Sequence, residues 1–456
     1  MHTMAGRVLH SVAFLAALAP TVWSATTCGG GKLCPQDTPC CSQYGECGVG
    51  AYCLGGCDPV NSFSIDACVP APVCQSKTYK FDNLDGVMAN TKYLGDSSKA
   101  DWVSSGTPLS YNGQVLLTMA EDTVGTLLAS THYVWYGKVS AKLQTSAGAG
   151  VVTAFILLGD SKDEIDFEFV GVELTTAQTN FYSLGVTNYN NGYNATVSSD
   201  VHKNMHEYEI DWQPDTITWS IDGKVVRTLN LEDTWNATAN RYSYPQTPAR
   251  VQLSLWPGGL ASNGQGTIDW AGGLVQWDSP YMTNGYYYAT FDEVSVECYD
   301  PPTGANIKGN KTYIYTSTDL TNATVEITNN KTILSSFLAS GLNMSAGAAS
   351  GTASASGSTK TSDVATVPGL TGAGPGNDGQ RGSNSSDSSS DSDSGSDSSE
   401  SSTASATGSA STGFVQGDGG SSSGKNGAAQ YGGNSESVLR GSLFAVVVAL
   451  VGLCVL

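Results

Sequence analysis

Residues 161–170 read Ser161-Lys162-Asp163-Glu164-Ile165-Asp166-Phe167-Glu168-Phe169-Val170, so Glu164, Asp166 and Glu168 alternate with Ile165, Phe167 and Phe169. Successive side chains of a strand point to opposite faces, and this period of two predicts a β-strand with an apolar face for a core and three carboxylates on the other. Just upstream, Val151 to Leu158 is an apolar run of the kind a buried strand presents. Further along, Thr216–Ile221 and Lys224–Thr228 flank the turn dipeptide Asp222-Gly223, and Tyr286–Cys298 is rich in aromatic and β-branched residues. Long helical periodicity is absent. Frequent strands between Gly and Asn turns predict an all-β fold, one large two-sheet sandwich.

Three carboxylates side by side repel one another and raise each other's pKa, so stability alone does not account for them. A solvated acidic face is the ordinary reading of a charge run. Against it stand the strict alternation and a chain in which Asp, Glu, Lys and Arg together make up only 14%. Chemistry that needs two carboxylates in different protonation states is glycoside cleavage: one attacks the anomeric carbon, the other protonates the leaving oxygen. Glu164 and Glu168 are the candidates, with Cα atoms about 13 Å apart along a strand. Inward-leaning side chains would bring their carboxyls toward the roughly 5 to 5.5 Å of a retaining pair. Asp166 between them would hydrogen-bond the nucleophile.

Asp163-Glu164-Ile165-Asp166-Phe167-Glu168-Phe169 resembles the active-site strand of glycoside hydrolase family 16, in the form carried by fungal Crh cell-wall transglycosylases. The likeness covers roughly Ser76 to Pro301, with similar stretches at His206–Trp212, Trp219–Lys224 and Trp256–Gly259. It implies a β-jelly roll, retention of anomeric configuration, Glu164 as nucleophile, Asp166 as its assistant and Glu168 as general acid/base. It also implies transfer of β-1,4-linked N-acetylglucosamine chains, the polymer chitin, to β-glucan acceptors. His206 and Tyr208 match positions flanking the cleft in that family and are expected to bond the carboxylate strand or a sugar hydroxyl. Tyr136, Trp219 and Trp256, with Trp270 and Trp277, are candidate platforms for stacking on a pyranose, although a Trp in a sandwich is often core. His202 and His206 are spaced like zinc ligands on a helix, but the surroundings read as strand and no Glu of the metalloprotease motif lies between them. No metal and no cofactor are expected.

Nine of the eleven cysteines fall between Cys28 and Cys74, a density typical of a small disulfide-held module in a secreted chain. The run from Cys28 through Cys40-Cys41-Ser-Gln-Tyr-Gly-Glu-Cys47 to Cys57 resembles the hevein-like chitin-binding module, carbohydrate-binding family 18. The resemblance implies the pairs Cys28–Cys41, Cys34–Cys47 and Cys40–Cys53, and a sugar face at Ser42, Tyr44 and Tyr52. Glu46 stands where an aromatic is commonest, and a module kept only as a spacer is the competing reading. Cys57–Cys68 and Cys74–Cys298 are the expected remaining pairs, although sequence alone does not fix connectivity.

Residues 1–24 have a weakly basic start, an apolar stretch and small residues before a cleavage point, as in a secretory signal peptide. The apolar end, Leu443–Leu456, is short for the roughly 20 residues that span a bilayer. With small residues around Asn426 and Asn434 ahead of it, the 438–456 tail reads as a signal for glycosylphosphatidylinositol attachment at Asn434 or Asn426, a short membrane anchor being the alternative. Residues 345–437, dominated by Ser, Gly, Ala, Thr and Asp, are expected to be a disordered stalk. N-glycosylation sequons stand at Asn194, Asn236, Asn310, Asn322, Asn330, Asn343 and Asn384. Their clustering marks residues 302–344 as a spacer, after a module at 25–74 and a catalytic domain at 75–301.

The net charge of -20 argues against nucleic acid as a partner, which needs a basic face. The expected partners are chitin and β-glucan, and the plasma membrane through the lipid anchor, for a monomer at the cell surface or wall. A hydrolase of chitin or β-1,3-glucan would use the same carboxylates. A chitin lectin or a structural wall protein would leave the acidic strand unexplained.

Overall fold

The computed structural model describes residues 26–348, apart from 122 and 187. The expected signal peptide, nearly all of the stalk with Asn384, Asn426 and Asn434, and the 438–456 tail lie outside the described residues. The carboxylate strand, Glu164–Val170, sits inside an eight-stranded sheet ordered Tyr193–Thr196, Thr176–Tyr182, Glu164–Val170, Val151–Gly159, Ala249–Pro257, Thr126–Val134, Trp102–Ser105 and Val87–Ala89. A second eight-stranded sheet runs Lys224–Asn230, Thr216–Ile221, His206–Trp212, Gly137–Gln144, Tyr286–Cys298, Gln114–Ala120 and Pro108–Tyr111, with Lys77–Lys80 also paired to Tyr286–Cys298. Asp222 and Gly223 both take positive φ, 50° and 75°, as a two-residue hairpin loop requires.

The two sheets close on one core. Ile165, Phe167 and Phe169 pack there with Phe155, Leu157, Leu253, Tyr208, Ile210 and Trp219. The alternate residues of the same strands therefore point outward from the sandwich. The fold is the expected all-β jelly-roll-like sandwich, and Gln265–Trp270 is the one α-helix among the described residues. No helix among them is long and apolar enough to cross a membrane.

The disulfides are Cys28–Cys41, Cys34–Cys47, Cys40–Cys53, Cys57–Cys68 and Cys74–Cys298. Each pair is the one expected from the sequence. The stretch expected as a spacer, 302–344, is instead part of the folded body. Asn306–Ile307, Val325–Thr328 and Thr312–Tyr315 form a small sheet with Ala71–Pro72, and Tyr313 enters the sandwich core against Trp135 at 5.7 Å. The physical reason is the alternation of Tyr313, Val325 and Ile327, buried positions among polar residues. Asn194, Asn310, Asn330 and Asn343 are exposed, Asn236 and Asn322 half-buried.

Residues beyond that sheet cover the cysteine-rich module. The Gly50 amide donates to the Ala339 carbonyl at 2.7 Å, and Leu334 and Ala339 share a cluster with Tyr52 and Leu54. Gly50 has φ 64°, and a Cβ there would meet the Phe337 carbonyl oxygen at 2.4 Å, so the two backbones are in close contact. Of the three residues expected as a sugar face, Ser42 and Tyr52 are buried and Tyr44 is half-buried. The Ser42 hydroxyl already accepts from the amides of Tyr44 and Glu46 at 3.3 Å each.

Candidate active site

Register fixes what the outer face of the carboxylate sheet presents. Three cross-strand rows run from Ala249–Pro257 to Thr176–Tyr182: Arg250, Leu158, Glu164 and Tyr182; Gln252, Ile156, Asp166 and Asn180; Ser254, Ala154, Glu168 and Gln178. An apolar strip of Leu158, Ile156 and Ala154 is thus flanked by acids on one side and by Arg250, Gln252 and Ser254 on the other. One row on stands Trp256, opposite Val152. Its ring stacks on Trp270 at 5.9 Å, and the Trp270 indole donates to Gln178 Oε1 at 2.8 Å. Trp256 and Trp270 therefore do flank the Glu168 end of the carboxylate row.

Glu164, Asp166 and Glu168 are only 2%, 0% and 2% exposed. Burial raises the Glu164 carboxyl well above its usual range, and the neighbouring charges of Asp166 and Glu168 add to this. Asp166 is raised as well, first by burial and then by Glu168, against the opposing pull of the Arg227 guanidinium. Both Asp166 carboxylate oxygens and Glu164 Oε2 are buried with no hydrogen-bond partner among the described residues, so burial and mutual repulsion both favour the protonated form. Tyr182 is held protonated by burial and by the same three acids, and accepts from Asn180 Nδ2 at 2.9 Å. The arrangement keeps a proton among clustered carboxyls, the condition for one to act as acid while another is ionised.

Arg227 reaches this cluster from the opposite sheet. It donates to the Thr179 carbonyl at 2.8 Å and the Asn191 carbonyl at 2.6 Å, and lies 4.5 Å over the Trp219 ring. Burial pushes it down to about 10.

Four expected sugar contacts lie elsewhere. Trp219 is fully buried in the core, and its indole donates to the Asp166 carbonyl at 3.0 Å, so it braces the back of the carboxylate strand. Tyr208 packs edge-on against Phe167 at 5.3 Å and Phe169 at 4.7 Å, on the apolar side of that strand. His206 bonds Asp222 through Nδ1 at 2.7 Å and Ser199 through Nε2 at 2.9 Å, away from the carboxylates. Tyr136 is buried between Trp135 and Trp212, ring centroids 6.2 and 4.9 Å away. The shared reason is that these residues belong to, or turn into, the second sheet, whose inward face is core. Trp277 lies against Tyr287 at 6.0 Å.

The sequence reading passed over Gln178, Asn180, Tyr182, Arg250, Gln252, Ser254 and Arg227. The signal for three of them was present, since Arg250-Val-Gln-Leu-Ser-Leu-Trp256 alternates polar and apolar residues as the carboxylate strand does, whereas Gln178-Thr179-Asn180 is polar throughout. A cavity of about 340 Å³ lies between the module, the small sheet and the sandwich, lined by Asp160, Tyr315 and Met344 and away from the carboxylates. The register of three acids on one face marks the site better than the size of that void.

The family model described as "Glycosyl hydrolases family 16" matches residues 96–272. Crh-like protein 2 of Aspergillus fumigatus is 59% identical over 351 residues, 75% of this chain and 79% of that protein. Crh-like protein 3 of Botryotinia fuckeliana is 57% identical over 443 residues, 97% of this chain and 98% of that protein. A solved structure, "Crh5 transglycosylase in complex with NAG", is similar at 29% identity with a TM-score of 0.48, over 59% of this chain and 99% of its own.

Proposed function

This chain belongs to the Crh-like transglycosylases of glycosyl hydrolases family 16, and from that premise we propose that it moves β-1,4-linked N-acetylglucosamine chains onto β-glucan acceptors by retaining double displacement. The observation that carries this reading is the common outward face of Glu164, Asp166 and Glu168, buried together, with Glu164 and Asp166 both pushed toward the protonated form.

In the first step a Glu164 oxygen attacks the anomeric carbon while Glu168 gives its proton to the glycosidic oxygen, and the shortened chain leaves. A covalent glycosyl ester on Glu164 remains. In the second, Glu168 takes the proton from an acceptor hydroxyl as that oxygen attacks the same carbon and frees the Glu164 carboxylate. Asp166, next to Glu164 on the same outward face, assists the nucleophile through its charge. Trp256 and Trp270 offer apolar surface on which a pyranose stacks. Secretion and a lipid anchor at Asn434 or Asn426 would place the reaction at the wall, a reading supported by the composition of both ends of the chain.

The test is incubation of the secreted chain with chitin and a fluorescent β-1,3-glucan oligosaccharide. Fluorescence should enter the chitin-bound fraction and be released by chitinase. Free N-acetylglucosamine oligomers without any labelled transfer product would make the protein a hydrolase, and neither product would remove the reading.

A pH profile checks the roles separately. Glu164 must be ionised to attack, so the acid limb of kcat/KM falls as pH drops through its raised pKa, above the ordinary Glu value of about 4.3. Asp166→Asn removes a like charge and should move that limb to lower pH while reducing the maximal rate by about 10- to 100-fold. An acid limb that stays in place would remove Asp166 from its assisting role.

A further inference from the structure

The cysteine-rich module is bound to the sandwich at the border of the carboxylate face. Gln43 Oε1 accepts from Arg250 Nη2 at 3.1 Å, the Gly56 amide donates to Asp160 Oδ1 at 2.9 Å, and Asp58 pairs with Lys162 at 2.8 Å. Arg250 shares a row with Glu164, Leu158 standing between them. Two strand spacings, about 10 Å, therefore separate their Cα atoms. Gln43 of the module thus stands beside the same face that carries the nucleophile.

On the strand that carries Arg250, the next two outward residues are Gln252 and Ser254, 2% and 1% exposed. Gln252 Nε2, Ser254 Oγ and Arg250 Nε have no hydrogen-bond partner among the described residues. Leaving a buried polar group unsatisfied costs about 1–3 kcal/mol. Three such atoms on successive outward positions of one strand, ending at Trp256, are what a ligand with several hydroxyl or carbonyl oxygens would complete. Gln43 already occupies Arg250 Nη2, and the remaining groups are an amide, a hydroxyl and one guanidinium N–H. That is the chemistry of neutral sugar recognition, not of anion capture.

We infer that Gln43 and Arg250, with Gln252 and Ser254, form a sugar subsite built jointly by the module and the sandwich, taking a neutral pyranose unit of the polysaccharide on the far side of Leu158 from Glu164. The inference rests on the reading of the carboxylate face as a glycan-processing site. The module then acts as a wall of that site, its own Tyr52 being committed to holding residues 334–346.

The test uses the full secreted chain and two length series, β-1,4-linked N-acetylglucosamine oligomers of three to six units as donors and β-1,3-glucan oligomers as acceptors. Gln252→Ala should raise KM for the long members of one series by about tenfold, and Gln43→Ala by about threefold, with kcat within about twofold and the shortest members unaffected. Asp58→Asn removes a docking contact outside the subsite and should lower Tm and, because the module is the wall of that site, move the ratio of long to short KM in the same direction as Gln43→Ala but by less. An unchanged ratio in both Gln43→Ala and Gln252→Ala, with a wild-type protein that turns these chains over, overturns this inference alone. A wild-type protein that turns over none of them removes the glycan reading and this inference together.

Discussion

Glu164→Gln is expected to lose transfer and hydrolysis by at least about 10³-fold, or about 4 kcal/mol of transition-state stabilisation, while its melting temperature rises. The first half follows from chemistry: an amide oxygen neither attacks the anomeric carbon at a useful rate nor leaves as a carboxylate. The second follows from linkage. Burial, then Asp166 and Glu168, raise the folded-state pKa of Glu164 above the unfolded value of about 4.3. Between those two values the native state binds the extra proton, so stability falls as pH rises through that window and is lowest once Glu164 is ionised. Gln carries no such charge and keeps the shape. At neutral pH the variant should therefore gain about 1 kcal/mol, or roughly 2–4 °C. Glu168→Gln should lose activity on the same scale, because an amide neither gives the leaving oxygen a proton nor takes one from the acceptor hydroxyl. Thermal melts beside initial rates decide the matter: substantial turnover in either variant would overturn the assignment, and a fall in Tm for Glu164→Gln would show that the acid is there for structure.

That trade of stability for chemistry also explains what was legible in the sequence. The carboxylate strand announced itself because acids every second residue conflict with economical folding, whereas Ile165, Phe167 and Phe169 fit it. Cleft-facing Gln252 and Ser254 obey the same alternation but carry no charge, and uncharged polar residues alternate on many strands; Gln178 and Asn180 are separated by the polar Thr179 and show no alternation. Aromatic positions were the hardest. Tyr208 and Trp219 lie on strands whose period is plain, yet a period of two says only that a residue faces one side or the other. Which sheet a strand joins decides whether that side is groove or core, and sheet membership depends on pairings far apart in the chain. Residues 302–344 failed differently, because sequons at Asn310, Asn322, Asn330 and Asn343 drew the reading outward. The buried partners Tyr313, Val325 and Ile327 lie between those sites and were the stronger physical signal.

The acidic motif holds a fourth carboxylate, Asp163, and its substitution should damage the fold, not the chemistry. Asp163 Oδ1 accepts from the Leu184 amide at 2.9 Å, and Oδ2 accepts from the Gln246 amide at 2.9 Å, the Thr247 amide at 3.1 Å and Thr247 Oγ1 at 2.8 Å. One nearly inaccessible side chain thus ties the start of the carboxylate strand to the turn after Thr176–Tyr182 and to the segment entering Ala249–Pro257. Asp163→Ala strands four donors in a dry interior, at about 1–3 kcal/mol for each one that finds no substitute. Allowing for partial relaxation, a loss of about 4 kcal/mol is expected, which lowers Tm by roughly 8–15 °C. Asp163→Asn offers one acceptor oxygen and turns an NH₂ toward the others, so it should be nearly as harmful. Because Asp163 touches none of the outward-facing groups, the fraction that stays folded at low temperature should keep specific activity within about tenfold of wild type. Glu164→Gln should show the reverse pattern, a firmer fold without turnover. Denaturant melts and rates at low temperature separate the two, and an Asp163→Ala protein within about 1 kcal/mol of wild type would end the account of this residue as the tie between those three segments.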